Sequence, residues 1–323
     1  MPARGVQPDR RTVVYGEASL FRDYALTDAE LRSGAQGARR PGQVDEYDEQ
    51  GYLVLPGLLD CDDLAPVRAA MMMKVDLIAD QLMAAGRITD PLAGDPFETR
   101  LARLFEGLSA EDFVTFTGRS WRDRLTGYFE LMSNPKILDV VESLIGPEIF
   151  ANPVYNVRPK VPRVAAGEVP WHQDKSYWPD ARSNPVVTVW VAVVDATVEN
   201  GCLRMIPRTH QEAVAGFHFE TYSGTAYLEM DDAAVAPLKA RARLVPLGAG
   251  GAIVFNDRFI HSSGPNASEH IRWSVDLRYQ PTDQDPMPQY GTGFLARSRV
   301  HPERVASLDD WCAGRPEAGV GGT

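Results

Sequence analysis

His172 and Asp174 stand two positions apart in Val169-Pro170-Trp171-His172-Gln173-Asp174-Lys175-Ser176-Tyr177-Trp178, a run rich in strand-forming residues. In an extended strand, side chains two apart leave one face about 6.6–7 Å apart, so this pair could converge on a single cation. A second imidazole, His261, ends the apolar run 252–261. Two imidazoles and one carboxylate form the facial triad of non-haem Fe(II), which leaves three coordination positions open. The segment 271–279 then alternates between apolar and polar residues, the pattern of a half-buried strand, with Arg272 and Ser274 on one face. A turn centred near Asn266 sets His261 opposite Ile271, placing Arg272 beside the metal and Arg278 about two pleats farther off. A buried guanidinium fork in that place is a bidentate clamp for a carboxylate.

The elements that must position these residues follow from the rest of the chain. It has 323 residues, 44% hydrophobic and 24% charged, which is ordinary for a globular protein with a large core. A net charge of −11 without a basic run argues against nucleic acid as a partner. Cys61, Cys202 and Cys312 form no Cys-x-x-Cys, which speaks against a disulfide scaffold or a zinc ribbon. No apolar run is long enough for a signal core or a membrane span, so the expected location is cytoplasmic.

Residues 1–44 lack periodicity and read as an N-terminal arm. Tyr47–Leu59 reads as a short helix, a glycine cap at Gly51 and a first strand. Asp60–Asp63 can cap a helix running to about Ala85, with Leu64, Val67, Met71, Val75, Ile78 and Leu82 on one stripe. More helical patterns fill 97–145 and end at Gly146-Pro147. From about 149 the period becomes two, with strands expected at 151–157, 169–174, 186–195, 202–206, 243–247, 252–260 and 271–279. Helices first and strands afterwards imply a mainly β antiparallel sandwich or barrel in a helical jacket. The expected organisation is a single domain over 45–323, with a helical part at about 45–148, a β core at about 149–280 and a C-terminal extension over 281–323. The segment 211–243 interrupts the strands as a long aromatic loop, of the kind that often serves as a lid over a site. His210 reads as a structural hydrogen-bonding residue.

The series His172-Gln173-Asp174 with Tyr177, then Asn200–His210, then His261-Ser262-Ser263-Gly264-Pro265-Asn266 and Arg272, resembles the phytanoyl-CoA dioxygenase family of Fe(II)- and 2-oxoglutarate-dependent oxygenases. The likeness runs from about Tyr47 to Tyr279. It implies a double-stranded β-helix of jelly-roll or cupin type, with His172, Asp174 and His261 as iron ligands. It also implies that Arg272 and Ser263 hold the distal carboxylate of 2-oxoglutarate, with Trp190 lining that pocket. Tyr177, Tyr222 and Tyr227 are candidates to meet substrate or to belong to the lid. The implied reaction uses O2 and releases succinate and CO2 while a small-molecule substrate is oxidised, with hydroxylation, or a related desaturation, ring closure or alcohol oxidation, expected because Asp174 is present. The expected setting is specialised metabolism, in a monomer or homodimer. Two other classes share the triad: a redox-inactive metal-binding barrel, against which the intact Arg272 counts, and a divalent-metal isomerase or hydrolase, which has no use for 2-oxoglutarate.

Overall fold

The computed structural model describes residues 41–117, 121–163, 168–177, 186–222, 225–284 and 291–314. The arm expected over 1–44 lies almost wholly outside them, as do Trp178 and parts of the C-terminal extension. The described chain opens with α1 (Pro41–Gln50) and β1 (Tyr52–Leu55), joined by Gly51 in the left-handed conformation. A Cβ at Gly51 would lie 2.2 Å from the His210 ring, so only glycine turns the chain here. His210 in turn bonds to the Asp48 carbonyl through Nε2 at 2.9 Å, the structural role expected of it.

Helix α2 (Cys61–Ala84) begins where the sequence places it. The Asp60 carboxylate accepts from the amides of Asp62 and Asp63, and Asp63 completes a capping box. Its stripe from Leu64 to Leu82 is buried, each large apolar side chain contributing roughly 1.5–3 kcal/mol. The jacket continues through α3 (Arg100–Leu104), α4 (Ala110–Thr117), α5 (Thr126–Met132) and α6 (Pro135–Ile145).

The strands are β2 (Ile149–Ala151), β3 (Asn156–Lys160), β4 (Val169–His172), β5 (Val187–Ala192) and β6 (Leu203–Met205), then β7 (Phe217–Tyr222) and β8 (Thr225–Met230). A short helix, α7 (Asp232–Val235), precedes β9 (Arg243–Val245), β10 (Ala252–Asn256), β11 (His261–Ser263), β12 (Arg272–Pro281) and β13 (Phe294–Arg297), and α8 (Leu308–Cys312) follows. All pairings are antiparallel. The major sheet runs β1-β10-β5-β12-β2-β13, with β3 also on β12, and the minor sheet runs β4-β11-β6-β9. The two sheets face each other as a jelly roll. The major sheet thus takes its outer strands from segments flanking the 149–280 core.

The hairpin expected between His261 and Ile271 does not form. Both edges of the three-residue β11 are taken, by β4 and by β6, so no edge remains for β12. Residues 264–270 cross instead to the major sheet, pinned where the Asn266 amide donates to the Lys160 and His270 carbonyls at 2.7 Å each. The alternation in β12 is likewise not half-burial, since all ten of its residues are buried. Ile271, Trp273, Val275 and Leu277 join the core under the helices, while Arg272, Ser274, Asp276 and Arg278 turn into the space between the sheets. In β5, Val187, Val189 and Val191 face the helices, whereas Trp190 and Ala192 join Leu203, Met205, Ile253 and Phe255 between the sheets.

The segment 211–243 is not a structureless loop. β7 and β8 pair as a two-stranded ribbon, and β8 packs on β4 beside His172.

Candidate metal centre and anion pocket

β4 stops at His172, and Asp174 opens a 3-10 turn over Asp174–Tyr177. The pair therefore converges through a turn rather than along a pleat, which shortens the expected separation: His172 Nε2 lies 3.5 Å from Asp174 Oδ1. β11 pairs with β4 so that His261 sits directly opposite His172, with ring centroids 4.1 Å apart. The three side chains are buried, and their ligand atoms lie within 4.8 Å of one another. One ion with bonds of about 2.0–2.2 Å can gather such a set.

The donor chemistry fits a metal. His172 Nδ1 donates to the Pro170 carbonyl at 2.9 Å and His261 Nδ1 to the Phe259 carbonyl at 3.0 Å, which leaves the Nε2 atom of each ring as its ligand atom. Burial, and next the neighbouring His172, pull the His261 imidazole down to about 3, so it stays neutral and able to ligate. Burial works against the charged form of Asp174, yet the Arg278 guanidinium foremost, then His172 and His261, hold its carboxyl well below the usual range. Thr188 donates to Asp174 Oδ2 at 2.7 Å, and Arg278 reaches the same carboxylate at 3.1–3.3 Å. Arg278, expected two pleats away from the metal, is thus the arginine that braces a ligand. The reason is the crossover: with β12 on the opposite sheet, its far end rather than its start faces the Asp174 turn.

Arg272 has a different environment. It is 1% exposed, stacks on the Trp190 ring at 5.4 Å, and donates through one terminal nitrogen to the Gly201 carbonyl at 2.9 Å. Its Nε is buried without a partner. Across the strand pair lies Lys160, in register with Arg272 and also 1% exposed. Lys160 donates to Ser263 Oγ at 2.7 Å and to the Gly264 carbonyl. Burial first, and then the field of Arg272, push its ammonium down to about 5. Among the described residues no carboxylate lies within ion-pair distance of Arg272 or Lys160. A buried guanidinium, a buried lysine that an arriving anion would recharge, a hydroxyl and an orphaned N–H make an anion pocket.

Gly201 lets this pocket close. Its φ is +83°, and a Cβ there would lie 2.4 Å from the Gly264 carbonyl and 2.7 Å from that of Pro265. Both histidines of the triad and the Arg272 side chain of the anion pocket line one common cavity between the sheets, together with Trp190, Ser263 and Arg278.

The candidate substrate side lies toward the ribbon. Tyr177 stands edge-on to His172, and its hydroxyl accepts from the Leu228 amide of β8 at 3.0 Å. Tyr227 is buried beside Arg158, while the Tyr222 side chain lies outside the described residues. Lys160 reads from the sequence, with Asn156 and Arg158, as a possible co-substrate contact but is not singled out there as a site residue. Its signal was the shared face of Arg158 and Lys160 on β3, but only the register with Arg272 gives that face a purpose.

The sequence matches the model of the phytanoyl-CoA dioxygenase family over residues 47–274. The chain belongs to the phytanoyl-CoA dioxygenase family. The peroxisomal phytanoyl-CoA dioxygenase of Mus musculus is 26% identical over 251 residues, covering 76% of this chain and 70% of that protein. Among solved structures sharing the fold, the non-heme monooxygenase ThoJ superposes with a TM-score of 0.53 at 20% identity over 79% of this chain and 84% of its own. EctD from S. alaskensis, solved with 2-oxoglutarate and 5-hydroxyectoine, gives 0.52 at 19% identity over 88% and 87%. Within the family match fall His172, Asp174, His261, Lys160 and Arg272, whereas Arg278 lies just beyond it.

Proposed function

We propose that this member of the family is an Fe(II)- and 2-oxoglutarate-dependent oxygenase that oxidises, in the simplest case hydroxylates, a small molecule. The observation that carries this reading is the cavity between the sheets, with a three-donor metal set at one place and, at another, a buried arginine and a buried lysine that have no carboxylate in ion-pair reach among the described residues. A redox-inactive barrel or a divalent-metal hydrolase gives no reason to bury Arg272 and Lys160 uncompensated. When bound, iron with 2-oxoglutarate and O2 supplies the oxidising chemistry, and succinate and CO2 leave.

The protein's own residues then have distinct tasks. His172, Asp174 and His261 hold the metal from one side, with Thr188 and Arg278 fixing the orientation of the carboxylate. Arg272, Lys160 and Ser263 clamp the distal carboxylate of 2-oxoglutarate, and Trp190 walls its chain. The β7–β8 ribbon, tied to the metal turn through Tyr177, covers the substrate side and keeps water out. Specialised metabolism is the setting we assign, on family likeness alone.

The test is anaerobic titration of the protein with Fe(II) and then 2-oxoglutarate, followed by the visible charge-transfer absorption of the chelate. The wild type should develop the band, and alanine at His172, Asp174 or His261 should each abolish it together with succinate release. Full activity in any one of the three variants would remove the assignment.

A further inference from the structure

Arg158 lies on β3, which pairs with β12 of the major sheet, and its side chain lines the same cavity as Arg272 and Arg278. Its Nε donates to Asp276 Oδ2 at 2.6 Å, which fixes the plane of the guanidinium. Its two terminal nitrogens have no hydrogen-bond partner among the described residues, and the side chain stays 28% exposed. The arrangement differs from that around Arg278, whose Nε and Nη2 donate to Asp174 and whose Nη1 donates to the Val154 carbonyl.

Among the described residues, guanidinium groups outnumber carboxylates on this side of the cavity. Arg122, Arg158 and Arg278 converge closely enough that, after burial, the fields of Arg278 and Arg158 pull the Arg122 guanidinium down. Facing them are Asp276, shared between Arg158 and Arg278, and Asp174, whose charge a bound metal would claim. Arg122 is itself anchored at the rim by donating to Asn156 Oδ1 at 2.9 Å. The pocket for 2-oxoglutarate lies at Lys160 and Arg272, so that anion does not supply the balance here.

We propose that the terminal nitrogens of Arg158 receive an anionic group of the substrate, a carboxylate in the first instance, so that this oxygenase acts on acidic small molecules. The inference rests on the oxygenase reading for which side of the cavity takes substrate. A guanidinium whose Nε is already bonded presents its remaining pair of N–H groups end-on, a geometry that accepts both oxygens of a carboxylate. Tyr177 and Tyr227, whose fields reach Arg158, flank the position and give the attached carbon skeleton an aromatic wall.

The experiment uses the full chain, loaded anaerobically with Fe(II) and 2-oxoglutarate so that the inner anion pocket is filled. Phenylacetate and phenylacetamide are titrated as matched probes, with phenyl phosphate as a third arm, and binding is read by calorimetry or ligand-observed NMR. The wild type should bind the acid about 10- to 100-fold tighter than the amide, the worth of a charge-assisted pair. Arg158→Gln should erase that preference. Arg158→Lys, which keeps Asp276 neutralised, should shrink it while the chelate absorption persists. Tighter binding of phenyl phosphate than of phenylacetate would keep the arginine site and exchange carboxylate for phosphate as its anion. Equal binding of acid and amide by the wild type, no binding of either acid, or a preference unchanged in both variants would overturn the proposal. The visible band reports on the oxygenase reading and the acid-to-amide ratio on Arg158, so the two fail separately.

Discussion

Arg272 and Arg278 sit on one face of one strand, six positions apart, so that roughly 20 Å of β12 separates their backbones. Both are buried to 5% exposure or less, but their partners differ in kind. Arg278 is bonded to Asp174 and lies 3.8 Å from Asp276, so its charge is answered within the protein. Arg272 has an aromatic face, one carbonyl and an orphaned Nε, and burial lowers its guanidinium to about 10. The contrast teaches that an arginine near a metal is not by that fact a ligand clamp. What decides is whether the fold has already provided its anion.

The comparison breaks most directly at its ligand end. Arg272→Ala should weaken 2-oxoglutarate by about 30- to 1000-fold, the worth of roughly 2–4 kcal/mol for a buried charge-assisted contact, while iron affinity stays put. Arg278→Ala should do the reverse: iron affinity falls about 10- to 100-fold through the unbraced Asp174, and 2-oxoglutarate suffers only as far as it depends on the metal. Equilibrium dialysis for iron and calorimetry for 2-oxoglutarate measure both. Equal loss of iron in the two variants would erase the distinction.

Lys160 sharpens the same comparison through pH. Its ammonium titrates near 5 in the folded protein against 10.5 in the unfolded chain, so within that window the unfolded state holds the extra proton. Stability from this residue therefore grows as pH rises and is lost as pH falls toward 5. Lys160→Met should flatten the pH dependence of the denaturation midpoint of the ligand-free protein across about pH 6–9. A carboxylate arriving beside Lys160 restores its charge, so 2-oxoglutarate binding should take up a proton, visible as a buffer-dependent heat that the variant lacks.

The smallest effect belongs to the ribbon. Tyr177→Phe removes one hydrogen bond to Leu228, worth about 1 kcal/mol, and should raise uncoupled 2-oxoglutarate decay a few-fold. Iron binding should not change. Coupling identical to wild type would make the ribbon a fixed wall rather than a cover.

The triad was legible because its two-residue spacing and the position of His261 at the end of an apolar run are local signals. So were α2, through Asp60 and Asp63, and the two faces of β12, through alternation. What escaped are relations that sequence distance hides. Arg278 meets Asp174 across 104 residues, and Lys160 meets Ser263 across 103. Both depend on which sheet β12 joins, and the sequence Ser262–Asn266 has the turn chemistry of a hairpin as well as of a crossover. Asn266 decides between them by bonding to the Lys160 carbonyl, a partner no periodicity reveals. The ribbon was read as a loop because its strands hydrogen-bond with each other and with neither main sheet, so they fall outside the strand pattern of the core.

The backbone latch at Gly201 has a kinetic consequence. Arg272, Lys160 and Ser263 beside its turn are each 1% exposed, whereas Arg158, lining the same cavity, is 28% exposed. If 2-oxoglutarate takes the end at Arg272 and substrate the end at Arg158, the first should arrive before the second and depart after it. An order of addition and release would then rest on a contact that only a residue without a side chain can make.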